Sequence, residues 1–230
     1  TALLTLGQLK RDSSVLARSI DAYRQALQEW TRERAPLDWA KTRNCLGTAL
    51  RVRGEQGGDP RELEQAVAEH RSALAVWTRE HWPEEWALTQ NNVAAALHRL
   101  GEREHDTRHL SEALAAYGNA LREVRREDRP LAWALTTANL ADLRRSLAEF
   151  TGDAEMSRRA VSDFEMVAQV FHDASHARYY ELAKEQLAVA RGNVKIQQKG
   201  FRLADFRFRA RQTTAIDPSQ EMMLLRNTQA

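Results

Sequence analysis

Apolar residues along this chain recur at helical rather than strand spacing. Between Trp39 and Arg53, the residues Trp39, Leu46 and Leu50 fall on one side of a 3.6-residue period, and Trp86, Val93, Leu97 and Leu100 repeat the pattern further on. A second periodic stretch, from about Pro60 to Arg79, reads LEQAVAEHRSALAVW and is matched by LSEALAAYGNALREV and SRRAVSDFEMVAQVF. The order predicted is helix, loop, helix, loop. Gly54 and Gly101 are expected to end the first helix of each pair as C-terminal caps.

The pattern is a repeat. PLDWAKTRNCLG at Pro36 returns as PEEWALTQNNVA at Pro83 and PLAWALTTANLA at Pro130, so Trp39, Trp86 and Trp133 stand 47 residues apart, with Tyr180 next in phase. Gly7, Gly54, Gly101 and Ala148 share a second phase, and Asp12, Asp59, Asp106 and Asp153 a third. Each aspartate precedes a helical stretch and suits an N-cap. Asp59-Pro60-Arg61-Glu62 adds a proline for the first helical position and a glutamate placed for a capping box. Proline stops the preceding helix, and the tryptophan is expected to wedge against the adjacent pair. One pair cannot cover its own apolar faces, whereas stacked pairs bury a continuous core.

On these residues the chain resembles the tetratricopeptide repeats. Their second helix carries a small residue, an aromatic four later and a small residue three after that. This spacing is met by Ser19, Tyr23, Ala26; by Ala113, Tyr117, Ala120; by Ala160, Phe164, Val167; and, with the aromatic replaced, by Ala66, His70, Ala73. Their first helix carries leucine followed by glycine or alanine, as in Leu46-Gly47, Val93-Ala94 and Leu140-Ala141. The period departs from the usual length of about 34 residues, and such lengthened repeats look like those of bacterial signalling proteins and, more distantly, of kinesin light chains. The resemblance implies an all-α right-handed superhelix of about four helix pairs over residues 1–192, with the first helices lining a concave groove for a peptide or partner protein.

Carried onto this sequence, the groove face comprises Lys41, Asn44, Thr48 and Arg51; then Leu88, Asn91, Ala95 and His98; then Leu135, Ala138, Asp142 and Arg145. Asparagines there suit a peptide backbone, and the cations a carboxylate. The bland alternative is a solvated face or asparagines that tie neighbouring helices. Asn92 and Asn139, one residue further round, suit inter-helix bonding.

Composition narrows the chemistry. The 230 residues hold 34 basic and 32 acidic side chains for a net charge of +2, which argues against nucleic acid or an anionic membrane as the partner. Cys45 is the lone cysteine and reads as a packed thiol, so neither a disulfide within the chain nor a multi-cysteine metal site is available, and a reducing, cytoplasmic setting fits. There is no phosphate loop and no nucleophile elbow. His105 with His109, and His172 with His176, have metal-compatible spacing but lack a third ligand, and no catalytic residue, metal or cofactor is assigned. Thr1 falls in mid-repeat, which reads as a fragment. A second reading therefore stands beside the interaction module: a regulatory or sensor part of a larger bacterial signalling enzyme, an ATPase or protease, whose catalytic domain lies outside this chain.

After Gly192 the period stops, leaving residues 193–230 as a basic tail. NVKIQQKGFRLADFRFRARQ carries six basic residues against Asp205, a net +5 that leaves −3 for the rest. FRFRAR suits a strand, and the wider segment a basic amphipathic helix. Three roles stand open: a linker, an arm docking through Phe201, Leu203, Phe206 and Phe208 on its own groove or that of a second copy to make a homodimer, and a contact to an acidic partner or nucleic acid. The final DPSQEMMLLRNTQA reads as a turn and a short helix.

Overall fold

The computed structural model describes residues 2–57, 59 and 61–214. Among them the chain forms nine α-helices and no strand: α1 (Ala2–Lys10), α2 (Ser13–Glu29), α3 (Pro36–Glu55), α4 (Arg61–Ala73), α5 (Pro83–Glu104), α6 (Thr107–Glu123), α7 (Pro130–Thr151), α8 (Ala154–Asp173) and α9 (Ala177–Thr214). From α1 to α8 each helix packs on the next, and α3 touches α5 as α5 touches α7. This is the all-α stack of helix pairs expected from the period. The chain divides into two units, Thr1–Ala190 and Arg191–Ala230.

Proline sets the start of α3, α5 and α7. Its missing N–H removes a donor that the first turn would leave without a partner, and the tryptophan three residues later closes that turn, with Trp39, Trp86 and Trp133 N–H groups donating to the carbonyls of Ala35, Trp82 and Arg129 at 2.8–2.9 Å. The aspartates cap as expected. Asp12 accepts from the Ser14 and Val15 N–H groups, Asp106 from Arg108, Asp153 from Glu155 and Met156, and Asp59 from Arg61. Pro60 lies outside the described residues. Glu62 does not close a capping box; its carboxylate is taken by the Arg53 guanidinium of α3.

The C-terminal caps differ from expectation. Gly54 and Gly101 lie inside α3 and α5, and α5 ends at His105, four residues beyond Gly101, in the left-handed region at φ 54°. Arg11 (φ 51°) and Gly152 (φ 73°) occupy the same phase in the same conformation. Asp12 and Asp106 N–H groups then reach back to the Gly7 and Gly101 carbonyls at 3.0 Å, a Schellman closure that runs directly into the next N-cap. The interior glycines are small for a different reason. A Cβ on Gly7, Gly54 or Gly101 would lie 2.8, 3.1 or 2.7 Å from Leu16, Leu63 or Leu110, the buried leucine nine residues on.

The main core crosses the pairs through Leu16, Ile20, Leu46, Leu50, Leu97 and Tyr117, among others. Each leucine-sized side chain so buried is worth roughly 1.5–3 kcal/mol. In the aromatic slot of the second helices, Tyr117 and Phe164 are buried and so is His70, under which Gly47 leaves room: a Cβ there would meet the imidazole at 2.8 Å. The phased tryptophans are half-buried, Trp39 against Trp77 and Ala73, and Trp133 against the α8 end and Tyr180. Helix α4 stops at Ala73, short of the expected Arg79, and unwinds through a run of mixed turns, with Ala75 and Val76 N–H groups donating to the Ser72 and Ala73 carbonyls.

The tail is helical rather than extended, since α9 runs without interruption to Thr214. Phe201 and Leu203 are exposed. The Phe206 and Phe208 side chains and the whole of DPSQEMMLLRNTQA lie outside what the structure describes.

Candidate functional site

The first helices of the pairs, α3, α5 and α7, together with the start of α9, carry the expected groove residues, and the structure sorts these into three layers. Outermost are Lys41, Leu88, Leu135 and Leu182, one per helix and 47 residues apart, with the three leucines 56, 43 and 51% exposed. Leu135 separates two cavities. One of 280 Å³ lies between α5 and α7 against Leu88, Asn91 and Leu135; the other, of 440 Å³, lies between α7, α8 and α9 against Leu135, Phe164, Tyr179 and Leu182. Leu182 and Tyr179 continue the face by one helix beyond the residues expected from the sequence. The signal was present, because adding 47 to Leu135 reaches Leu182.

The middle layer is ionic and closes on itself. Arg51 pairs with Glu55 at 2.5 Å, and Arg145 with Glu149 at 2.8 Å and Asp142 at 2.5 Å. Between them Arg99 reaches Glu102 at 2.6 Å, Asp142 at 3.2 Å and Glu55 at 3.6 Å, so the pairs form one ladder across α3, α5 and α7. Burial opposes the charge on Arg99, but Glu102, Asp142 and Glu55 hold its proton more firmly than usual. Glu102 is likewise opposed by burial, yet hydrogen bonds from His98 and Ser146 hold its carboxyl well below the usual carboxylate range. Arg51 and Arg145 are thus already partnered, which makes them positioning groups of the face rather than free carboxylate receptors.

The innermost layer binds the helices together. Asn44 and His98, expected to line the groove, are buried. Asn44 Oδ1 accepts from Asn92 Nδ2 of α5 at 3.0 Å and lies 2.7 Å from His70 Nδ1 of α4, and in the next register Asn91 Oδ1 accepts from Asn139 Nδ2 at 3.3 Å. Asn92 and Asn139 therefore make inter-helix bonds as expected, the first from a half-buried side chain and the second from an exposed rather than a buried one. Thr48 donates within its own helix, to the Asn44 carbonyl. A polar cavity of 120 Å³ remains between Arg51, Asn91, His98, Arg99, Asn139 and Asp142.

His98, Ser146 and Glu102 meet in a buried knot. Ser146 Oγ donates to Glu102 at 2.6 Å, and both oxygens approach the same His98 nitrogen, Nε2, at 3.1 and 3.2 Å. A serine nucleophile and its orienting carboxylate need opposite ring nitrogens, so this arrangement ties α5 to α7 and is not set out as a catalytic triad. Among the described residues, neither histidine pair falls together in a cluster of three possible metal ligands. His105 packs edge-on to Phe150 and His176 to Tyr179, and the three-residue cluster the structure does form is Glu104, Asp106 and His109, whose Asp106 carboxylate is occupied as a helix cap. Cys45 is partly buried, and burial together with this thiol pushes the Tyr23 phenol up to about 12.

No protein-family model matches the chain, and no curated protein matches it in sequence. A solved chain described as "DHF58 filament" is similar at 22% identity, covering 90% of this chain and 92% of its own, with a TM-score of 0.32. A TM-score that low carries no statement about fold or assembly here. No described helix is long and apolar enough to cross a membrane.

Proposed function

We propose that this chain is a protein-interaction module of tetratricopeptide type, which receives an apolar-faced segment of a partner protein across its first helices. The observation that carries this reading is the row Leu88, Leu135 and Leu182, exposed in one register with a cavity on each side of the middle leucine. Solvent-facing leucines leave apolar area in water, and a stripe of them bounded by polar groups suits a partner's anchors. The charged groups of the ladder beneath the stripe are paired with one another, so affinity comes from the leucines and cavities, and the ionic ladder contributes orientation.

The test compares the proteins retained by the unaltered chain with those retained by Leu88→Glu/Leu135→Glu, followed by direct titration of any partner lost. Retention of every partner by a variant with unchanged circular dichroism would overturn the reading.

A further inference from the structure

The described part of the second unit offers a counterpart to this face. Ile196 is 69% exposed and Leu203 is 51% exposed, seven residues apart on α9, with Lys195, Lys199 and Arg202 beside them. Two turns of helix advance about 10.5 Å. Neighbouring packed helices stand about 8–10 Å apart, so anchors seated on either side of α7 call for a similar interval. A helix laid across that face brings one anchor per cavity only if its apolar residues are a heptad apart. An extended segment has no such match, because residues on one side of it repeat at about 6.6 Å and 13 Å.

Charge points the same way. The ladder of the middle layer has three guanidinium groups and four carboxylates, and the cavity between α5 and α7 adds Glu84 and Glu85 against Arg129 alone. The α5–α7 cavity is therefore acidic, whereas residues 191–205, with Arg191, Lys195, Lys199 and Arg202 against Asp205, carry +3.

We infer that the occupant of this face is the 191–205 stretch of α9 from a second copy of the chain, with Ile196 and Leu203 filling the cavities on either side of Leu135. The inference rests on the interaction-module reading and names its partner. Reciprocal exchange gives each copy one donated helix and one filled face, a dimer that closes on itself.

Sedimentation velocity and light scattering of the full chain test it, using Leu135→Glu and Ile196→Glu. Both side chains are substantially exposed, so circular dichroism is expected to stay unchanged. The unaltered chain is expected to be dimeric at micromolar concentration, and each variant to weaken the dimer about 100-fold, as loss of one apolar anchor at two symmetric contacts implies. An equimolar mixture of the two variants retains one intact helix-on-face contact and is expected to recover part of the association as a heterodimer. A monomeric unaltered chain at 100-fold higher concentration, a dimer indifferent to both substitutions, or a mixture no stronger than its components would overturn it. If the chain is monomeric while Leu135→Glu still abolishes capture of another protein, the exchange fails and the interaction-module reading survives.

Discussion

Gly101 lies so close to Leu110 that a Cβ on the glycine would fall 2.7 Å from Leu110 Cδ2. The same meeting recurs between Gly7 and Leu16 and between Gly54 and Leu63, while the fourth pair places Ala148 and Ser157, both buried, at the corresponding positions. Glycine goes with leucine, and alanine with serine. Gly101→Ala is expected to destabilise the fold by about 1–3 kcal/mol through overpacking, and Leu110→Ala by about 2–5 kcal/mol. Gly101→Ala combined with Leu110→Ser imports the fourth pair's solution. In urea titrations the double variant is expected to lose less than the sum of its single substitutions, and strict additivity would separate the two positions.

His70 makes the second pair sensitive to acid. Burial first, and then the Arg51 charge, push its imidazole down to about 3. An unfolded histidine takes up a proton near 6.5 while the folded one stays neutral, so this contribution is complete above about pH 6.5. It is lost as the pH falls toward 3, at up to about 1.4 kcal/mol per pH unit. His70→Phe places here the residue that Phe164 already supplies in phase. The variant is expected to melt with a smaller difference between pH 7 and pH 5 than the unaltered chain; an equal difference would place the acid sensitivity elsewhere.

His105 sits at φ 54°, where a side chain costs more than glycine, and Gly152 fills the same phase at φ 73°. His105→Gly is expected to relieve about 0.5–1 kcal/mol of backbone strain, less what the edge-on contact to Phe150 returns, while Gly152→Ala should cost about 1 kcal/mol. Thermal melts that move in these opposite directions would support the left-handed cap.

Arg99 is the centre of the ladder, and Arg99→Ala leaves Glu102, Asp142 and Glu55 facing one another. A fully buried pair broken in this way costs about 3–5 kcal/mol. The Arg99 side chain is 39% exposed, so solvent screening reduces the expectation to about 1–2 kcal/mol, smaller in high salt. Denaturation at two ionic strengths measures it, and an effect independent of salt would point to lost packing instead.

Trp30 and Trp77 occupy one phase but differ in surroundings, 43% against 7% exposed. Trp77→Ala is expected to cost about 3–5 kcal/mol and Trp30→Ala under about 1 kcal/mol. Equal losses in denaturant would overturn that ordering.

Much of this architecture is legible in the sequence. A 47-residue period shows directly in letters, and aspartate before a helix has one dominant use, so the pairs and their N-caps followed. The C-terminal ends did not, because glycine is small for two unrelated reasons that share one letter. At Gly101 the need is close approach to Leu110, whereas the left-handed residue four positions later is a histidine. Glu62 departs likewise: a glutamate three residues after an aspartate fits a capping box, but Arg53 from the preceding helix reaches it first. On the interaction face, spacing put Asn44 and His98 beside Lys41 and Arg51, yet a helix face about 100° wide includes both its solvent-facing centre and its buried edge. Only the positions of neighbouring helices separate the two.

The aromatic that opens each first helix lies under a cation, but the cation arrives by two routes. Arg79 and Arg126, seven residues upstream, stand 5.7 and 5.4 Å from the Trp86 and Trp133 rings, whereas Arg43 and Lys184, four residues downstream, stand 5.1 and 5.0 Å from Trp39 and Tyr180. At the downstream position the middle copies have Gln90 and Thr137, and at the upstream position the last copy has Asp173. Only the first copy keeps both, with Arg32 upstream holding the Ala75 carbonyl at 3.0 Å. Trp39 therefore has a second arginine in the upstream register, held on a carbonyl rather than on the ring, and the other three aromatics have a cation at one register alone. A change at Arg43 leaves an arginine in that register, while the same change at Arg79 or Arg126 removes the cation from the ring, so copies written in one phrase differ in what each stands to lose.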